Sequence, residues 1–518
     1  MQTENASVLD ILSTRFGHPS LRGIQASVVR RLLGDESVPS AGERAAASRI
    51  SEPISNIGPG DALVVLPTGS GKSLCYQLPA LAIRESRKRN EQPPGVTLVF
   101  SPLIALMEDQ VSALKAKHIR AEYVNATVPK RERETRYRRL AAGDYELFYA
   151  TPERMAVPGF RDALDQVPGG VQLLAIDEAH CISKWGHDLR PAYSEVGRFR
   201  EELGTPRTVA LTATATEAVR NDIRDVLGLS AQEMPLFATG IDRPNLKLGA
   251  VEVHDPSEKL SRIAKLAERN GGVGVAYFAL IKDLERDADT LRAALPGFNH
   301  AIYHGRLDGK QKKRVYRRFM EANAERPLML CATNAFGMGV DKPDLRFIAH
   351  AQVPGSVEAY YQEVGRAGRD GQPSECMLTY QQEDLAIQQE FAEWANPSAD
   401  LLASIMSIVE HRYAPESGHD SFEADDIRLD VIGKGHAHGK SGGRVEYALI
   451  TLEKLGCIER TGVPGRYRLV RPIGDDDIDT TEIKAKRQRD LLRLLDVVKL
   501  TRAPDIRAFV LDYFGLDG

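Results

Sequence analysis

The chain has 518 residues, 42% of them hydrophobic and 27% charged, which suits several packed domains and excludes a disordered chain. Lys and Arg number 68 against 72 Asp and Glu, so no global field steers a polyanion and any nucleic-acid contact must come from local basic patches. No apolar run approaches the ~20 residues of a membrane span, MQTENASVLD lacks the regions of a signal peptide, and five scattered cysteines suggest neither disulfides nor a zinc site, all of which points to the cytoplasm.

The first elements read as two amphipathic helices joined at FGHPSLRGIQ, Phe16 to Gln25. A Gln carboxamide can pair with the N6 and N7 edge of adenine. Gln25 lies upstream of a phosphate loop, as such a reader would, although a surface glutamine is the plainer alternative. Residues 35–60 are small, polar and broken by prolines, which predicts an inserted loop or short helix.

In ALVVLPTGSGKSLCY, Ala62 to Tyr76, an apolar strand breaks at Pro67 into a glycine loop that opens a helix. Free backbone N–H groups and the positive end of a helix dipole then converge on one point, a phosphate cradle. Thr68, Gly69, Ser70 and Gly71 form the loop, and the glycines let its backbone approach phosphate oxygens. Lys72 supplies charge for the β and γ phosphates and Ser73 a hydroxyl for Mg²⁺. Leu66 stands where the ordinary loop has its first glycine, and the form P-T-G-x-G-K-S resembles that of superfamily two helicases and translocases.

The runs ALVVL, VTLVF, ELFYA, QLLAID and TVALTAT alternate with helical stretches and predict a parallel sheet with helices on both faces. After Asn245 the same grammar restarts with GVGVAYF, HAIYH, LMLCAT, FIAHA and CMLTY. Two α/β lobes are therefore expected, over 1–240 and 241–381, with a cleft between them.

Asp177 and Glu178 follow the strand LLAID, at the carboxyl end where open α/β sheets place ligands. Asp177 would hold Mg²⁺, and Glu178 would orient or deprotonate the attacking water. In QEVGRAGRDG, Arg366 and Arg369 are one helical turn apart, expected on one face and reaching across the cleft to the γ phosphate. Such a finger is worth ~10³ to 10⁵ in rate.

The segment CISKWGHDLRPAY directly follows the acids. Trp185 offers a face for an unpaired base, worth about 1 to 3 kcal/mol, with Lys184, His187 and Arg190 nearby for phosphate. A tryptophan packed between the lobes is the alternative. PKRERETRYRRL, Pro129 to Leu140, interleaves acids with its basic residues and reads as a solvated helix before a DNA stripe.

Residues 382–475 suggest three short helices and a hairpin, the pattern of a winged helix, with Arg444, Arg466, Tyr467 and Arg468 as candidate duplex contacts. Cys457, the one cysteine after the motor motifs, reads as core packing. His411, His419, His436 and His438 lack paired spacing, so no zinc is expected. Residues 476–518 read as a helical pair held by the apolar faces of RDLLRLLDVV and RAFVLDYF.

The motifs FGHPSLRGIQ, PTGSGKSLCYQLP, SPLIALMEDQV, DEAHCISKWGHDLRP, ALTATAT, ATNAFGMGVDKPD and YYQEVGRAGRDG together resemble the RecQ family of superfamily two DNA helicases, from Phe16 to about Tyr380. The resemblance implies two RecA-like lobes followed by a winged helix and a helical C-terminal region. It implies ATP and Mg²⁺ as ligands, and 3′ to 5′ movement on single-stranded, tailed or forked DNA. The setting would be repair, recombination or genome defence at a cytoplasmic nucleoid. By the same match Arg22 and Gln25 face adenine, Gly339 and Asp341 line the nucleotide, Thr212 and Thr214 couple the lobes, and Arg366 and Arg369 complete the ATP site. Two departures stand out. Leu189 replaces a usual aromatic, and the family's four-cysteine zinc site has no counterpart. An RNA helicase or duplex translocase on the same motor is an alternative. So is a DNA-binding regulator with a non-productive ATP site, although Lys72, Glu178 and both arginines are present.

Overall fold

The computed structural model describes residues 8–35, 49–50, 59–125, 127–183, 191–337, 340–413, 421–432, 442–461, 466–474, 477 and 480–515. In the first lobe the strands are β1 (Arg49–Ile50), β2 (Ala62–Val65), β3 (Val96–Phe100), β4 (Ala121–Val124), β5 (Leu147–Ala150), β6 (Val171–Ile176), β7 (Arg207–Thr212) and β8 (Leu236–Ala238). Their order is β1-β8-β2-β7-β6-β3-β5-β4. Every pair is parallel except β1 with β8. Helices cover both faces, so strands such as ALVV, VTLVF and LFYA are apolar without alternation and buried along their whole length. The segment 35–60 was expected to be a loop or short helix. Most of it lies outside the described residues, and Arg49–Ile50 within it form a two-residue edge strand antiparallel to β8.

The second lobe holds β9 (Leu246–Glu252), β10 (Val273–Tyr277), β11 (Asn299–Tyr303), β12 (Leu328–Ala332), β13 (Leu345–His350) and β14 (Ser374–Tyr380), all parallel in the order β11-β12-β10-β13-β14-β9. In the first lobe β2, β7 and β6 are neighbours. The loops leaving their carboxyl ends carry the phosphate cradle, the Thr-Ala-Thr turn and the Asp-Glu pair, so sheet order alone brings three distant sequence motifs together.

Beyond the lobes, helices Ala399–Arg412, Ala424–Ile432 and Gly442–Lys454 pack on an antiparallel sheet of β15 (Phe422–Glu423), β16 (Ile458–Arg460) and β17 (Arg466–Leu469), ordered β15-β17-β16. This is the winged-helix arrangement, built on its own core of Ile405, Val409, Phe422, Leu449 and fully buried Cys457. His419, His436 and His438 lie outside the described residues. The long helix Thr480–Arg502 returns to pack on Gln382–Trp394, where Lys486 Nζ donates to Ala395 O at 3.0 Å. A separate apolar cluster runs from Leu63 and Ile176 through Ile241 of the linker and Leu246 of β9 to Tyr361 and Val364, and on to Val497, Val510 and Phe514. Among the described residues no helix is long and apolar enough to cross a membrane.

Candidate nucleotide site between the lobes

The loop after β2 turns on Gly69 at φ 80° and Gly71 at φ 84°, left-handed positions that side chains resist. Space matters too at Gly71, where a Cβ would lie 2.6 Å from Gln25 Nε2. That amide donates to Ser70 O at 3.0 Å and Gly71 O at 3.3 Å, while its Oε1 accepts from the backbone N–H of Arg22 at 3.0 Å. The Arg22 guanidinium also donates to Ser70 O, at 3.2 Å. The two residues expected to face adenine are therefore anchors of the phosphate loop.

Lys72 Nζ donates to Leu66 O at 3.0 Å and Pro67 O at 3.3 Å. Burial lowers its pKa, opposed by the carboxylates of Glu178 and Asp177. Asp177, 8% exposed at the end of β6, has its pKa raised by burial and by Glu178, with Lys72 acting against them. A divalent cation would reverse that balance, because it favours the ionised carboxylate.

Glu178 occupies left-handed backbone at φ 51°, a strain of about 1 to 3 kcal/mol for a non-glycine residue at a functional turn. Its Oε2 lies 3.3 Å from His180 Nδ1, which lies 3.0 Å from Thr212 Oγ1. The Thr212 hydroxyl donates to Thr214 O at 3.0 Å, and Gln362 Nε2 of the second lobe donates to Thr214 Oγ1 at 3.3 Å. Glu178, His180 and Thr212 are thus in polar proximity, and Thr214 of the same turn meets Gln362 across the cleft.

The arginine pair departs from expectation. Helix Val357–Val364 ends before it, and Arg366 and Arg369 sit in the following turn, where Gly368 takes φ 56°. Their side chains diverge. Arg366 is buried and donates to Gly337 O within its own lobe. Arg369 donates to Val340 O at 3.0 Å and Asp341 Oδ1 at 2.7 Å, and it lies against the phosphate loop, where a Cβ on Gly69 would meet its Cδ at 3.2 Å. Its buried Nε makes no hydrogen bond among the described residues. A cradle of positive-φ glycines, a lysine, two acids and an arginine with a spare donor fits a magnesium-bound nucleoside triphosphate.

Lys184, Trp185, His187, Arg190 and Gly339 lie outside the described residues. In the winged helix Arg444 is exposed, Arg466 donates to Ser421 O at 3.3 Å, and exposed Arg468 pairs with Glu459. Tyr467 does not belong with them. It is 9% exposed, with its ring stacked 6.0 Å from Phe422, and is a core residue.

In helix Lys130–Ala141 the buried Arg136 pairs with buried Glu122 at 3.2 Å and Arg139 pairs with Asp144 at 3.1 Å, while Lys130, Arg131 and Arg138 stay exposed. Sequence reasoning missed a different helix, Gly309–Glu321. It buries Val315 and Phe319 and exposes Lys310, Lys313, Arg314 and Arg317, none of them ion-paired among the described residues. The signal was available as helical spacing in GKQKKRVYRRF.

The DEAD/DEAH box helicase family matches residues 45–222, and the Helicase conserved C-terminal domain matches 258–371. The probable ATP-dependent DNA helicase RecS of Bacillus subtilis (strain 168) is 37% identical over 351 residues, 68% of this chain and 67% of the relative. ATP-dependent DNA helicase RecQ of the same organism is 41% identical over 325 residues, 62% of this chain and 51% of the relative. The chain thus spans about two thirds of the one and about half of the other. Among solved structures, the DUF1998 helicase MrfA bound to DNA is similar in fold, with a TM-score of 0.55 at 16% identity, covering 94% of this chain and 64% of that one. With both lobes matched and 37–41% identity to RecS and RecQ, the chain belongs to the RecQ family of ATP-dependent DNA helicases.

Proposed function

We propose that the protein hydrolyses ATP to move 3′ to 5′ along one strand of tailed or forked DNA and unwind the duplex ahead of it. The observation that carries this reading is Arg369 of the second lobe lying against Gly69 of the first, beside Lys72, Asp177 and Glu178. A site shared by two lobes turns over only when they close, and that links hydrolysis to movement.

Thr68, Gly69, Ser70 and Gly71 would cradle the phosphates, and Lys72 would trade the carbonyls of Leu66 and Pro67 for phosphate oxygens. Ser73 and Asp177 would hold Mg²⁺, which when bound neutralises phosphate charge. Glu178 orients the attacking water, and Arg369 meets charge developing on the transferred phosphate. Arg22 and Gln25 would report the base to the loop they already hold, and Gly339 and Asp341 would contribute to nucleotide binding from the second lobe. Arg366 supports the site through Gly337.

Trp185 with Lys184, His187 and Arg190 would stack and grip single-stranded DNA immediately after the catalytic acids. Exposed Lys310, Lys313, Arg314 and Arg317 add a positive stripe, and Arg444, Arg466 and Arg468 would touch duplex. A role in repair, recombination or genome defence at the nucleoid of a bacterial cytoplasm fits this activity.

The test is strand displacement with ATP on 3′-tailed, 5′-tailed and blunt substrates, in DNA and RNA. Displacement confined to 3′-tailed DNA is expected. Equal unwinding of RNA, or a preference for 5′ tails, would overturn the reading.

A further inference from the structure

The helix Ile506–Phe514 touches both lobes and the linker between them. At the linker, Arg507 donates to the Asp242 carboxylate, in the stretch joining β8 to β9, and to the carbonyl of Leu246 at the start of β9. On the second lobe, the Tyr513 hydroxyl donates to Glu358 Oε1 at 2.9 Å, and the Phe514 ring centroid lies 5.4 Å from that of Tyr361. The Tyr361 hydroxyl in turn donates to the linker carbonyl of Ile241. On the first lobe, Arg220 donates to Phe514 O and to Ala215 O, each at 3.3 Å. Ala215 directly follows the Thr212–Thr214 turn that meets Gln362 across the cleft, and a cation at the carbonyl end of a helix is favoured by its dipole.

Two details separate this from ordinary packing. The last turn of a peripheral helix usually frays, yet Phe514 is 1% exposed and joins the cluster that runs through both lobes. Glu358 is 4% exposed and its Oε2 has no hydrogen-bond partner among the described residues, so the Tyr513 hydroxyl is a rare donor to a buried carboxylate. Burial, then Glu358, holds the pKa of Tyr513 above the usual phenol range, and the hydroxyl stays a donor.

Glu358 and Tyr361 lie one turn apart on helix Val357–Val364, the helix that ends at the arginine turn. Its Gln362 faces Thr214 of the first lobe. The helix that leads into the arginine turn is therefore gripped from the cleft on one side and by helix Ile506–Phe514 on the other.

The geometry points to helix Ile506–Phe514 as a splint across the lobe hinge, with Tyr513 and Phe514 as positioning residues that hold Arg369 at the phosphate loop. This rests on the ATPase reading above. The splint touches no reacting atom. It fixes the attitude of the second lobe, so its loss should lower the rate of the closed complex and leave the affinity of the first-lobe cradle for nucleotide in place.

The test uses the full chain with Tyr513→Phe, Phe514→Ala and Phe514→Leu. Three readouts are taken on each: kcat and KM for DNA-stimulated ATP hydrolysis, the melting temperature, and the interlobe distance by fluorescence transfer between dyes on Lys88→Cys and Glu268→Cys. The five native cysteines are buried, which makes that labelling selective. Phe514→Ala should lower kcat by about ten- to a hundredfold with KM for ATP nearly unchanged, and it should broaden the interlobe distance distribution. Phe514→Leu should recover most of both, and Tyr513→Phe, which keeps the ring, should fall between.

Folded variants with wild-type kcat and an unchanged distance distribution would overturn the proposal. So would a fall in melting temperature with no change in either, which would make the helix a stabiliser only. If the wild-type protein hydrolysed no ATP, the ATPase reading would fail on its own, while the distance distributions of Phe514→Ala and Tyr513→Phe would still decide the splint.

Discussion

At the scale of single residues, Glu178→Gln and Lys72→Ala should each cut ATP turnover by at least about a hundredfold. They should differ in binding. Glu178→Gln keeps Lys72, Ser73 and Asp177 and should retain a fluorescent nucleotide, whereas Lys72→Ala should release it. Arg369→Ala should cost ~10³ or more in kcat, as removal of an arginine finger does. Arg366→Ala should lower kcat less, and both should lower the melting temperature, because each removes a buried, hydrogen-bonded guanidinium. The residues whose placement was legible from sequence, Lys72, Asp177 and Glu178, lie in the loops that leave the carboxyl ends of β2 and β6, where chain order fixes direction. Arg366 and Arg369 were half legible. Their spacing fits one helix face, but the helix stops at Val364 and the glycine at 368 turns the backbone, so the two guanidinium groups part. Tyr467 was misread for a simpler reason. On a strand, neighbours point to opposite faces, so with Arg466 and Arg468 outward, Tyr467 had to point in. Trp185→Ala should leave basal hydrolysis and weaken its stimulation by single-stranded DNA. An unchanged stimulation curve would assign the ring to packing.

Elements show the same division. Strands buried on both faces announce themselves as apolar runs, and those of the central sheets were read correctly. The edge strand β9, LKLGAVE, is only partly buried, so no apolar run marks it; β1 has two residues and owes its existence to β8. The basic helix Gly309–Glu321 carries the prediction at this scale. Replacing Lys310, Lys313, Arg314 and Arg317 by Gln should weaken DNA binding without touching basal ATPase. It should also flatten the plot of log affinity against log salt by up to ~0.7 for each lost phosphate contact on a single strand. The region after the second lobe should fold without zinc, because Cys457 is spent in the winged-helix core and Thr480–Arg502 braces Gln382–Trp394 directly. Elemental analysis should find no stoichiometric zinc, and one tightly held zinc per chain, lost with structure on chelation, would contradict this.

For the whole molecule, the decisive feature is how its cores are shared. One cluster joins the lobes, the linker and the terminal helices, and the winged helix keeps a cluster of its own. Calorimetry should therefore show the lobes melting in a single transition that nucleotide raises, with the winged helix in a separate one that nucleotide leaves alone. Two independent lobe transitions would contradict the shared core. Sequence could announce two lobes but not their joint interior, since Ile241, Leu246 and Phe514 look like any apolar residues until the chain has folded. The shared interior also bears on how such a motor can be taken apart. Cut in the linker between Asp242 and Asn245, the chain would yield two pieces, each with a bare apolar wall where the other belongs. Such halves would aggregate when made alone and would give back a working machine only when synthesised side by side.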